Sequence, residues 1–186
     1  AIYLELILRS EKNRTKLSSE SSAIRHLLLE VNQQNENINS ALKRIKEFSK
    51  SRSCFFADTD GEDFYYIKPS MKEKGLIGEE KVLIGEDKQY FFGELFRYAS
   101  NVYTDDVKIG FMQITPNTHL LKTNEKLHQF MLDKGIKDVS FAIIADKNNR
   151  VSILGTINAK KKDFVRMLVE DVVVCFTIAI YNKNHL

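Results

Sequence analysis

A chain of 186 residues, 43% hydrophobic and 28% charged, has room for one domain whose core buries roughly 70% of the unfolded surface. Its 28 basic and 25 acidic side chains are interspersed and leave a net charge of only +3, which argues against a dedicated nucleic-acid surface. No uncharged apolar run reaches the ~18 residues of a membrane span, and no secretory signal is present.

Two cysteines, Cys54 and Cys175, each sit inside an apolar run and read as buried thiols of a reducing, cytoplasmic compartment. The chain begins at Ala1 without Met, as a piece of a longer polypeptide would. Residues Ala1 to Leu17 carry Ile2, Leu4, Leu6, Ile7 and Leu8 and then turn abruptly charged. They read as a helix that either connects from an upstream domain or packs on the fold. The domain proper is set at residues 18–186.

Ser18, Ser19, Ser21 and Ser22 offer capping chemistry for the next helix. Ile24, Val31, Ile38 and Ile45 then recur at seven-residue spacing, with Leu27, Leu28, Ala41, Leu42 and Phe48 between them. The pattern predicts one amphipathic helix of about seven turns. Its polar gap at Gln33, Gln34 and Asn35 is a place to kink or to fix register across a dimer; the stripe itself suits a dimer seam or the domain's own sheet.

Cys54 to Asp58 and Asp63 to Lys68 flank Thr59-Asp60-Gly61-Glu62, a β-hairpin whose Asp-Gly pair accepts positive φ. Pro69 ends the second strand because it has no N–H for the ladder. Four glycines, Gly75, Gly78, Gly85 and Gly93, break up the stretch from Ser70 to Asn101, within which Gln89 to Ala99 is aromatic and helical in spacing. Lys108 to Ile114 reads as a strand closed by Pro116. Asn117 to Asp133 reads as one helix, stopped by Gly135 in a left-handed C-cap.

Ile136 to Asp146 and Val151 to Ala159 are apolar, β-branched flanks around Lys147-Asn148-Asn149-Arg150, a second hairpin. The last segment holds ten uncharged residues, Val172 to Tyr181, which pattern alone allows as a buried strand. Phe164, Leu168, Val172, Cys175 and Ala179 step by three or four, which favours a helix.

This ending (Gly-Ile, strand, polar turn, strand with Leu154-Gly155, helix closing on Ala179-Ile180-Tyr181-Asn182) resembles the C-terminal half of a GAF domain over about 50 residues. The resemblance implies an α+β fold: a central antiparallel sheet, long N- and C-terminal helices on one face, and a loop and helix lid on the other. It implies a cytoplasmic sensory module of a multidomain bacterial signalling protein, without catalysis of its own. Its terminal helices would pair in a homodimer and control a C-terminal output domain, a diguanylate cyclase or a histidine kinase. Any pocket would lie under the lid, lined by Tyr66, Tyr90, Phe91, Phe96, Phe111, Gln113 and Phe141; equally, those side chains fill the core.

Chemistry-bearing motifs are sparse. His26, His119, His128 and His185 have no partners at metal-ligand spacing, and Gly75-Leu76-Ile77-Gly78 lacks the Lys-Ser/Thr of a phosphate loop. Two cysteines do not supply the set used by methionine-sulfoxide-reducing relatives, nor are they placed for bilin attachment. The Asn-Lys, Phe and Asp-Glu signature of cyclic-nucleotide-binding relatives is not found. Asp58, Asp60, Glu62 and Asp63 crowd one hairpin; they read as a solvated turn, or, in a small α+β enzyme, Asp58 or Asp63 would act as acid and base. A further alternative is a ligand-free GAF- or PAS-like dimerisation spacer. The sequence names no ligand or cofactor.

Overall fold

β1 (Ser53–Asp58), β2 (Phe64–Ile67), β3 (Lys108–Ile114), β4 (Val139–Ala145) and β5 (Val151–Ile157) pair antiparallel in one sheet of order β2-β1-β5-β4-β3. The structure, a computed structural model, describes residues 2–30, 34–59, 64–70, 80–100, 108–145 and 150–185. The helices are α1 (Ile2–Leu29), α2 (Gln34–Ser49), α3 (Glu86–Ser100), α4 (Glu125–Asp133) and α5 (Lys162–His185). Among the described residues, no helix is long and apolar enough to cross a membrane. Both turns expected from sequence, at Asp60-Gly61 and at 147–149, lie outside the described residues.

Alternation along each strand divides the core in two. Cys54, Phe56, Tyr65, Ala142 and Leu154 face α1, α2 and α5, whereas Phe55, Ala57, Ile114, Val139, Phe141, Ile143 and Ile153 face α3 and α4. The central strands β1, β4 and β5 are buried on both faces and read as apolar runs for that reason. Gly155 faces α3 and pairs with Phe55 on one side and Phe141 on the other. A Cβ there would stand 2.5 Å from the Cβ of Phe141, so glycine makes room for two large rings on one face.

The segment from Val172 to Tyr181 is helical, inside α5, and lies against the sheet together with α1 and α2. The expected single helix through Ile24, Ile38 and Ile45 is instead two. α1 ends at Leu29, α2 starts at Gln34, and Val31 and Gln33 lie outside the described residues. The two helices are antiparallel, held by Arg44 on Glu20 at 2.9 Å. Ile24, Ile38 and Ile45 are fully buried in the domain's own core, so the heptad stripe is spent there and not on a dimer seam. Ser18 to Ser22 lie within α1 and cap nothing, because the helix begins far upstream at Ile2.

Residues 117–133 likewise form two pieces, a 3-10 helix (His119–Thr123) and α4. Asn124 separates them: its side chain accepts from Leu127 N at 3.0 Å and so caps α4. Gly135 has φ 67 just past α4, and Ile136 N closes on Met131 O at 2.8 Å, the left-handed stop expected from the sequence.

α1 and α5 run the same way along the sheet. Arg9, Asn13 and Leu17 share a groove with Asp163 and Met167, and one turn on Ser21 bonds Asp171 at 2.9 Å. The chain thus enters and leaves the domain through adjacent, parallel helices whose outer ends point in opposite directions.

Candidate functional site

The face expected to hold a pocket is covered by α3 and α4. Of the seven residues expected to line it, Tyr66, Tyr90, Phe91, Phe96 and Phe141 belong to this face, and Phe91 and Phe141 are fully buried. Phe111 and Gln113 do not belong to it. They alternate with Met112 and Ile114 along β3 and therefore emerge on the helical face. There Phe111 lies 5.3 Å beneath the Arg166 guanidinium of α5, and Gln113 donates to Asp138, which also accepts from Ser140 and faces Lys162 at 3.5 Å. The misplacement is one of parity: β3 carries apolar side chains on both faces, Phe111 on one and Met112 and Ile114 on the other, so the sequence does not say which set meets α3 and α4.

Rings pack through the space beneath α3. Phe92 stands 5.0 Å from Phe55 and 5.3 Å from Phe64; Phe91 stacks on Phe130 at 5.6 Å, and Tyr90 meets the same ring edge-on at 5.1 Å. Such pairs add about 0.5–1.5 kcal/mol each beyond their burial. These six rings pack against each other, and Phe55, Phe91 and Phe92 among them are fully buried. The phenolic oxygen of Tyr90 is buried without a hydrogen-bond partner, and it marks the rim where α3 meets α4.

Polar groups gather instead at the end of the sheet where β1 begins and β5 finishes. Ser53 Oγ donates to Glu80, and Asn158 Nδ2 donates to the other Glu80 oxygen at 3.2 Å. Asn158 is held in a left-handed conformation, φ 56, where its Oδ1 accepts from Lys137 N and its Nδ2 also reaches Gly135 O. Asn tolerates that backbone because its short side chain bonds locally. Tyr66 Oη accepts from Leu83 N at 3.4 Å beside the same carboxylate. Burial pushes the Glu80 carboxyl up to about 7, against the pull of Ser53, Arg52 and Lys46. Burial, then the Glu80 charge, pushes the Tyr66 phenol up to about 12. No motif announces this cluster; Ser53, Tyr66, Glu80 and Asn158 are scattered through the chain and meet only in three dimensions.

The acidic hairpin is not a solvated turn at Asp58. That carboxylate is 2% exposed and is gripped by Arg150 at 3.0 Å and by Ser152 Oγ at 2.9 Å. A carboxylate so paired is a structural anchor between β1 and β5. Asp60, Glu62 and Asp63 lie outside the described residues. Cys54 is buried on β1, where desolvation pushes its thiol up, and Cys175 is half-buried on α5; both are free. His128 Nδ1 lies 2.8 Å from Pro116 O, and no metal-holding cluster occurs among the described residues.

No protein-family model matches the chain. Over 156 residues it is 26% identical to an asparagine–tRNA ligase of Aster yellows witches'-broom phytoplasma (strain AYWB), a match covering 77% of this chain and 29% of the ligase. The chain therefore spans less than a third of the curated relative that it matches.

Proposed function

We propose that the chain is a non-catalytic, cytoplasmic GAF-like sensory or regulatory module that dimerises through its terminal helices and works on an output domain of the same polypeptide. The observation that carries this reading is the exposed apolar surface of α1 and α5. Every residue from Ile2 to Lys16 is exposed, and Ile2, Tyr3, Leu4, Leu6, Ile7 and Leu8 are between 55% and 81% so. On α5, Met167, Ile178 and Tyr181 are exposed and Val174 half-exposed. Their spacing alternates in steps that keep one helix face, with Asp171 the polar member of the row. Surface of this kind marks an interaction site on a water-facing helix.

The parallel course of α1 and α5 supports the transmission half of the proposal. A ligand or partner that favours one packing of α3 and α4 on the sheet shifts the population of helix arrangements on the other face. By resemblance to GAF domains the output is a diguanylate cyclase or a histidine kinase. Sizing the purified chain by light scattering at ~100 µM tests the assembly: a dimer is expected, and Met167→Glu with Ile178→Glu gives a monomer of unchanged circular dichroism. A monomeric parent, or a double variant that stays dimeric, removes the reading. Thermal-shift screening against nucleotides, amino acids and haem tests the ligand half, since binding to the native state raises stability.

The likeness to an asparagine–tRNA ligase supports a second reading, a segment belonging to such a ligase. It predicts that the full-length protein charges tRNA with asparagine. The sensory reading predicts no such charging.

A further inference from the structure

α2 ends at Ser49, and its last carbonyls are closed by the chain that leaves β5: Lys160 N bonds Lys50 O at 3.2 Å and Lys161 N bonds Ser49 O at 3.0 Å. Ser51 N, on Lys46 O at 3.1 Å, completes the stop. With those acceptors taken by backbone donors, the negative end of the helix is muted. The same capping sets Lys160 beside the Lys43, Lys46 and Lys50 face of α2, whose spacing puts all three on one side. Arg52 and Lys68 close the ring, and a cleft of about 650 Å³ lies between them.

Among the described residues six cations and one carboxylate, Glu47, line this cleft, in a chain whose whole net charge is +3; Glu80 lies near enough to Arg52 and Lys46 to feel their charge, and Lys46 Nζ donates to Lys68 O at 3.1 Å. The remainder of the chain is therefore net acidic. Like charges gathered in a cleft raise its affinity for anions and cost stability when it is empty. Lys50 adds a second sign. It has φ 51, a left-handed position that glycine occupies freely and a lysine occupies under strain, yet lysine stands there. Ile67 and Pro69 supply an apolar side to the cleft.

We propose that this cleft binds a small molecule carrying two or three linked phosphates. Lysine ammonium groups suit phosphate oxygens as point charges, and the volume fits one small ligand. A nucleic acid would need a stripe of cations that continues over the surface, whereas a short phosphate chain needs only the cations that line this one cleft. The site lies at the edge of the sheet by α2 and β2, apart from the aromatic core under α3, and the proposal is independent of the sensory reading.

Calorimetric titration of the intact chain with inorganic tripolyphosphate at about 100 mM salt tests it. Saturable one-to-one binding is expected, with an accompanying rise in Tm. Lys43→Gln with Lys160→Gln, both exposed, should weaken it by about tenfold or more. Lys50→Gly should also weaken it while leaving Tm unchanged or raised, a combination that a merely structural lysine does not give. Lys122→Gln with Lys126→Gln, remote from the cleft, should bind like the parent. Absence of saturable binding overturns the proposal, as does a Lys43/Lys160 variant within twofold of the parent. Duplex RNA binding more tightly than tripolyphosphate, and lost in the same variants, overturns it in favour of a nucleic-acid surface.

Discussion

Ser21 Oγ donates to Asp171 Oδ2 at 2.9 Å, tying the helix by which the chain enters the domain to the parallel helix by which it leaves. Ser21 is fully buried while Asp171 is exposed, so the bond sits at the boundary between core and surface. Ser21→Ala should cost about 1 kcal/mol, the net worth of one such bond, in urea unfolding. Ser21→Leu should cost more, since the two helices must part to admit it. Equal stability of both variants with the parent would mean the helices are joined elsewhere.

The heptad residues separate core from surface. Ile24→Ala or Ile38→Ala should lower stability by about 2–5 kcal/mol, as truncation at a fully buried site does. Met167→Glu, at a residue 54% exposed, should change the monomer's stability by no more than about 0.5 kcal/mol. Denaturation midpoints of the three variants decide the matter.

Gly155→Ala is expected to be among the most damaging single changes. The new methyl would meet the Cα of Phe141 at 2.9 Å and its Cβ at 2.5 Å, backbone-anchored atoms that cannot swing aside. A loss of about 3 kcal/mol, the upper end of what overpacking costs, should appear in thermal or chemical melts. A melt within about 1 kcal/mol of the parent would place β4 and β5 differently.

Glu80 should make stability depend on pH. Its carboxyl is raised to about 7 in the fold from a model-peptide value near 4.5, so the native state holds its proton more tightly than the unfolded chain. The stabilisation is full below about pH 4.5, falls away as pH rises through about 7, and is flat above. The change is on the order of 3 kcal/mol. Glu80→Gln mimics the neutral acid, donating to Ser53 and accepting from Asn158, so it should flatten this slope and be the more stable protein at pH 8. Parallel pH–stability curves for parent and variant would exclude Glu80 as the titrating group.

At the other end of the strand, Arg150→Ala would take the Arg150 guanidinium from the buried Asp58 carboxylate. A loss of about 3–5 kcal/mol is expected, larger than for Ser152→Ala, because removing a charged partner of a buried carboxylate costs more than removing a neutral donor. Chemical denaturation of the two variants compares them directly.

What the sequence determined by itself is what periodicity and local chemistry encode. Apolar runs flanking polar turns marked β1, β4 and β5; steps of three and four favoured a helix for Val172 to Tyr181; Gly135 announced its own left-handed stop. The heptad run was equally legible as apolar, but the break after Leu29 turned it back on itself, and only packing decided that Ile24, Ile38 and Ile45 face α5 and the sheet rather than another copy. Parity decided the aromatic set: a strand's inward face is fixed by its neighbours, so Phe91 and Phe141 landed under α3 while Phe111 and Gln113 landed under α5. The Ser53, Glu80 and Asn158 cluster and the basic cleft beside Lys50 belong wholly to tertiary structure. Each joins residues far apart in the chain, and the energy of a buried carboxylate or of gathered charge depends on distances that no local pattern records.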